Sequence, residues 1–139
     1  VEMRYGVLVD IATKVYHQET LDLTMGYANV IWQGDANEMI LRSLQYCTSP
    51  AAHLNISGSE LISVADVAKK FGKIMGKKVK FKGVEANSAL SVDVSRSIGM
   101  LGKPSVCLEQ LIEWTAHWIG SNKRLLGKST HFEVRDGKY

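Results

Sequence analysis

The sequence predicts a mixed α/β chain in which helices pack on short strands. Segments with apolar residues at helical spacing alternate with short β-type runs. Cap and turn residues stand where these segments meet. The 139 residues are 45% hydrophobic and 22% charged, the balance of an ordinary globular domain. A chain of this length can bury about 70% of its unfolded surface, so it is one domain or one piece of a larger protein.

Val7 to Tyr16 opens the order, with Val7, Leu8, Ile11, Ala12 and Val15 on one helical face. Leu21 to Leu23 alternates like a short strand, and Gly26 permits a bend. Asn29 to Gln33 is the next strand. It passes at Gly34-Asp35 straight into a helix from Ala36 to about Tyr46. Asp35 is expected to cap that helix, with Glu38 three residues on as its capping-box partner. Such strand-to-helix joints place residues at the mouths of pockets in α/β proteins. Met39, Ile40, Ser43, Leu44 and Cys47 form the expected stripe, and Pro50 prevents continuation.

His53 to Ser57 reads as a strand. Ser63-x-x-Asp66 is a capping box for a helix burying Val64, Val67, Ala68, Phe71 and Ile74, with Gly76 as its left-handed stop. Lys78 to Lys82 alternates strictly, which turns Val79 and Phe81 inward. Asp93 to Met100 reads as a short helix ended by Gly102-Lys103-Pro104. Leu108, Leu111, Ile112, Thr115 and Ile119 are the stripe of a last long helix. The predicted order is helix, strand, strand, helix, strand, helix, strand, helix, helix. Residues 1–126 form the domain, and 127–139 a polar tail that loops over the surface or docks on a missing part.

A net charge of +3 is too mild to argue for nucleic acid. The lysines at 69, 70, 73, 77, 78, 80 and 82 read as a solvated helix face and exposed strand, with a phosphate or membrane patch as the alternative. Phe71 and Phe81, the aromatics among them, are expected to face inward, which leaves none for base stacking. Cys47 and Cys107 make neither a disulfide framework nor a zinc site and read as small buried hydrophobes. His17, His53, His117 and His131 share no metal-ligand spacing. No apolar run is long enough for a bilayer, and a cytoplasmic setting fits the thiols. The chain starts at Val1 without an initiator Met, which reads as a fragment.

The motifs taken together resemble the C-terminal, substrate-binding part of the extended short-chain dehydrogenase/reductases, the NAD(P)-dependent epimerases and dehydratases. Ile31-Trp32-Gln33-Gly34-Asp35 matches the strand and acidic turn that open a helix there. His53 to Gly58 matches its "YNIGSG" strand, Ile62-Ser63-Val64 the Ser-initiated helix, and Gly76-Lys77 the break. Asp93-Val94-Ser95-Arg96-Ser97 followed by Leu101-Gly102-Lys103-Pro104 matches "Asp-x-Ser-Lys-Ala…LeuGly-x-x-Pro", and Leu108 to Trp118 the final helix. The resemblance covers nearly the whole chain. It implies a small substrate domain of an extended Rossmann-type dehydrogenase/epimerase, with NAD or NADP bound by an N-terminal Rossmann domain absent from this chain.

Two family features are missing. No Gly-rich cofactor turn occurs, and no Tyr has Lys four residues later. Without the Lys cation no phenol is primed for proton exchange, and without the turn no site holds a pyrophosphate. The chain alone is therefore expected to carry no catalytic and no cofactor-binding residue; the parent would be the enzyme. The family's diphosphate-pairing Arg falls at Ala28, and Gly83 to Leu90 holds no Arg. A sugar-like or small hydroxy or carbonyl substrate is expected rather than a nucleotide sugar.

The resemblance places substrate contacts at Met25, Tyr27, Asn29 and Trp32, and near the crossing from the cofactor domain at Arg4 and Tyr5. Each has a plainer alternative. Trp32 can be a core residue, Met25 to Asn29 a packed turn, and Arg4 and Tyr5 an ion pair and packing. His131, Glu133, Arg135 and Asp136 in the tail read as docking residues rather than a triad. The rival reading of the whole chain is a stand-alone, non-enzymatic α/β binding domain. In a fragment, Leu54 to Ile56 would be an unpaired apolar edge, from which self-association is expected.

Overall fold

The computed structural model describes residues 1–132 and 134. Three helices form its centre: α1 (Val7–Tyr16), α3 (Val64–Met75) and α5 (Leu108–Gly120) pack on one another. Each buries most of the stripe its spacing predicts. Leu8, Ile11, Ala12 and Val15 meet Val64, Val67, Ala68 and Phe71, and Leu111, Ile112 and Ala116 close the third side. Leu8, Ile11, Ala12, Val64, Ala68 and Phe71 are fully excluded from solvent. That burial is the main favourable term, at about 25 cal/mol per Å² of apolar surface.

The remaining elements are short. They are β1 (Thr20–Asp22), β2 (Tyr27–Ala28), α2 (Gln33–Ser43) with a 3₁₀ turn at Leu44–Tyr46, β3 (Ile62–Ser63), β4 (Lys80–Lys82), β5 (Ala89–Leu90) and α4 (Ser95–Leu101). β1 pairs with β4 in parallel, Leu21 opposite Phe81. A second sheet runs in the order β3-β2-β5. Its centre, β2, is antiparallel to β3 and parallel to β5, so Ala28 stands opposite both Ile62 and Leu90.

The cap at Ser63 forms as the sequence predicts. Its Oγ accepts the Asp66 amide hydrogen at 3.1 Å and donates to Glu85 Oε1 at 2.6 Å. Gly76 ends α3 in the left-handed region, φ 64° and ψ 33°, where a side chain is disfavoured.

Several expectations give way. The strand expected over Asn29 to Gln33 lies two residues earlier, at Tyr27–Ala28, and residues 29–32 are extended chain without a ladder. The reason is Asn29, whose side chain takes the bonds a ladder would supply. His53 to Ser57 is not a strand either. Asn55 Nδ2 donates to the Asp93 carbonyl and Arg96 Nη1 to the His53 carbonyl, so side chains rather than a neighbouring strand hold it.

α2 begins at Gln33, with Trp32 at its N-cap and no side-chain cap bond. Asp35 is therefore inside the first turn, and its expected capping role is replaced by a long-range one. Glu38 pairs with Arg42 instead of closing a capping box. Of the stripe expected on α2, Met39 is buried, but Ile40 and Leu44 are more than half exposed, beside Leu41 and Tyr46. Cys47 and Cys107 are exposed, contrary to the expected burial, because the described residues leave both open to solvent. Ile74 and Phe81 also stay open, since α3 turns only one face to the core and β4 is exposed along its length.

The tail returns to the body. Thr130 donates from its amide and its hydroxyl to Asp10 Oδ2, and Leu126 donates to the Arg4 carbonyl. Phe132 joins the core at 4% exposure. Glu133, Arg135 and Asp136 lie outside the described residues.

Candidate functional site

The segment from Met25 to Trp32 contains β2, the central strand of the second sheet, and leads into α2; Asn29 is its organising residue. Asn29 Nδ2 donates to the Gly58 carbonyl at 3.2 Å and to the Val92 carbonyl at 3.0 Å, and its Oδ1 accepts the Val92 amide hydrogen at 3.3 Å. One side chain thus ties its own segment to two loops that are 29 and 63 residues away in sequence. Only glycine fits at 58, because a Cβ there would collide with the Val30 carbonyl oxygen.

These bonds shape an open hollow of about 400 Å³, lined by Asn29, Ser59, Leu61, Val92, Asp93 and Ser95 among others. That volume is within the range of small-molecule sites. Asp93 Oδ1 accepts from the Ser95 amide at 2.9 Å and from the Ser95 hydroxyl at 2.6 Å. The hydroxyl and amide hydrogen bonds from Ser95 hold the Asp93 carboxyl below the usual carboxylate range. The sign follows. The native state prefers the ionised form, so the contribution is complete above the ordinary value of 3.8 and is lost as pH falls through the lower native value. Acid titration followed by NMR at Asp93 and Ser95 should show α4 loosening below pH 3.8 and not above it.

The six residues singled out from the sequence do not share one cavity. Asn29 lines the hollow. Met25 is 7% exposed and belongs to the core, and Tyr27 is a paired residue of β2. Trp32 is half-buried and meets Trp114 of α5 edge-on, ring centres 5.7 Å apart. Tyr5 bridges to Glu2. Arg4 pairs with Glu2 at 3.0 Å and lines a different cleft, between α1 and the tail. Ser59 and Asp93 were not singled out as substrate contacts. Asp93 belongs to the Asp93-Val94-Ser95 motif, but its place on one hollow with Ser59 depends on Asn29 bridging distant loops, which no local spacing encodes.

The second long-range anchor is Asp35, 5% exposed. It accepts the Ser105 hydroxyl at 2.6 Å and the Val106 amide at 3.0 Å. It fixes the start of α2 against the loop that leads into α5. Ala28, at the position where the family resemblance expects an arginine, is fully buried between its two strand partners.

The fold is that of the C-terminal part of extended short-chain dehydrogenase/reductase epimerases and dehydratases. The UDP-glucuronic acid 4-epimerase of Bacillus cereus, solved with NAD, superposes over 86% of this chain and 40% of its own, with a TM-score of 0.65 and 17% identity. The dTDP-glucose 4,6-dehydratase of Bacillus anthracis, solved with NAD, matches over 84% and 39%, at 0.65 and 14%. A GDP-mannoheptose C4 reductase of Campylobacter jejuni, with NADP bound, matches over 86% and 46%, at 0.64 and 14%. The chain thus spans less than half the length of each. These identities establish the fold alone. No family model and no curated protein matches the sequence.

Proposed function

We propose that this chain is the substrate-binding part of a longer NAD(P)-dependent epimerase, dehydratase or reductase acting on a sugar-like or small hydroxy or carbonyl substrate. The observation that carries the reading is the match of more than four-fifths of the chain to about 40% of enzymes solved with NAD or NADP. In this reading the dinucleotide and the proton-transferring pair belong to a Rossmann domain outside the chain. Hydride transfer is the cofactor's chemistry. The chain's own residues orient the substrate and close over it, which contributes by proximity.

Two features support a missing neighbour. α2 and its 3₁₀ turn expose Ile40, Leu41, Leu44 and Tyr46 together, the kind of apolar patch that marks an interface. His53 to Ser57 runs extended without a partner strand among the described residues. The Rossmann domain would cover both. In isolation the chain is expected to self-associate through this face. Among the described residues no helix is long and apolar enough to cross a membrane, and the reading places the enzyme in the cytoplasm.

Titration of NADH into the longer protein and into the 139-residue chain tests this. Fluorescence enhancement is expected from the longer protein only. Lack of NADH and NADPH binding by the longer protein, or binding by the chain alone, would overturn it.

A further inference from the structure

We propose that the hollow beside Asn29 binds an uncharged polyhydroxyl ligand, of the class of a free sugar or polyol, and turns phosphorylated ones away. The proposal rests on the substrate-binding reading above and names the ligand class for it.

The hollow divides into grips and walls. Asn29 spends both ends of its amide on the protein, so it is a wall. Asp93 spends only Oδ1, on Ser95; Oδ2 has no hydrogen-bond partner among the described residues. The hydroxyls of Ser59 and Ser91, which line the same hollow from two different loops, have none among the described residues either. A carboxylate and two hydroxyl-bearing residues that line one hollow offer acceptors and donors to adjacent hydroxyl groups. A hydrogen bond to a carboxylate is about twice as strong as a neutral one. Leu61 is 57% and Val92 47% exposed at the rim, an apolar surface for the C–H face of a sugar ring.

Charge decides the class. Among the described residues no Lys or Arg lines the hollow. Arg96, the nearest cation in sequence, is turned to the His53 carbonyl instead. A phosphate would find no cation to pair with and would meet an ionised carboxylate. Ala28, buried at the centre of the neighbouring sheet, supplies none from that side.

The test uses the longer protein, with ¹⁵N amide shifts as the readout. D-glucose, D-galactose and D-mannose are titrated against their 1-phosphates and against UDP-glucose. At least one free sugar is expected to shift the amides of Asn29, Ser59 and Ser91, and its 1-phosphate to bind at least about tenfold more weakly, one factor of ten per 1.4 kcal/mol. Asp93→Asn keeps an acceptor oxygen for the Ser95 amide and hydroxyl. It should weaken the free sugar about tenfold and narrow the discrimination against the phosphate. Ser59→Ala, which leaves the Asp93–Ser95 bonds in place, should weaken the sugar without altering the discrimination. Binding of a 1-phosphate or of UDP-glucose as tight as the free sugar would overturn the proposal. So would no response to any free sugar, or an Asp93→Asn profile like that of the unaltered protein. NADH binding in the same samples reports separately on the parent reading, so its failure is not confused with failure here.

Discussion

Replacing Phe71 by alanine is expected to cost about 4 kcal/mol, the upper part of the range for a buried aromatic. Phe71 is fully excluded from solvent and is the largest side chain so buried. It lies in the core that α1, α3 and α5 share. Truncation loses the transfer free energy of the ring and leaves a cavity that three helices cannot all close at once. Against a total stability of about 5–15 kcal/mol this is a large share. A urea melt should move its midpoint down by about 2 M at an ordinary slope. Phe71→Leu, which refills most of the volume, should recover more than half of the loss. A Phe71→Ala midpoint within about 0.5 M of the original would mean that α3 is not the centre of the core.

The second large effect is at Asp35. Asp35→Ala is expected to cost about 2 kcal/mol, because the Ser105 hydroxyl and the Val106 amide lose a nearly buried charged acceptor together. If Asp35 acted only as an acidic residue in the first turn of α2, the cost would be about 0.3–1 kcal/mol and would fade with salt. Two variants separate the cases. Asp35→Asn retains one acceptor and should fall between. In a Ser105→Ala background the cost of Asp35→Ala should shrink, since part of the interaction has already gone. Equal cost in both backgrounds would remove the Asp35–Ser105 tie from the account.

The residues that could be read from the sequence are those whose reasons are local. Val7–Tyr16 is recovered to the residue, because five apolar positions on one face dictate both helix and burial. The Ser63 cap and the Gly76 stop lie within one turn of the helix ends they serve. The small sheet is different. β2, β3 and β5 are two residues each, too short to show a period of two. Their pairing follows from the turn at Gly26 and the bonds of Asn29. Asp35 shows the same limit. A Gly-Asp pair before a helix is a cap signal, yet the partners that claim its carboxylate are 70 and 71 residues away.

α2 failed for another reason. Met39, Ile40, Ser43, Leu44 and Cys47 do form a stripe, but the described residues cover only Met39. In the proposed reading, the rest of the stripe packs against the missing Rossmann domain. The family resemblance pointed to substrate contacts along Met25 to Trp32, and the structure puts only Asn29 of these at the hollow.

That the chain is one wall of a two-part fold is tested most directly by amide hydrogen exchange, comparing the 139-residue chain alone with the same residues inside the longer protein. Exchange at Ile40 to Tyr46 and at His53 to Ser57 is expected to slow at least about tenfold in the longer protein, with α1, α3 and α5 little changed. Equal exchange at those two segments in both proteins would contradict it.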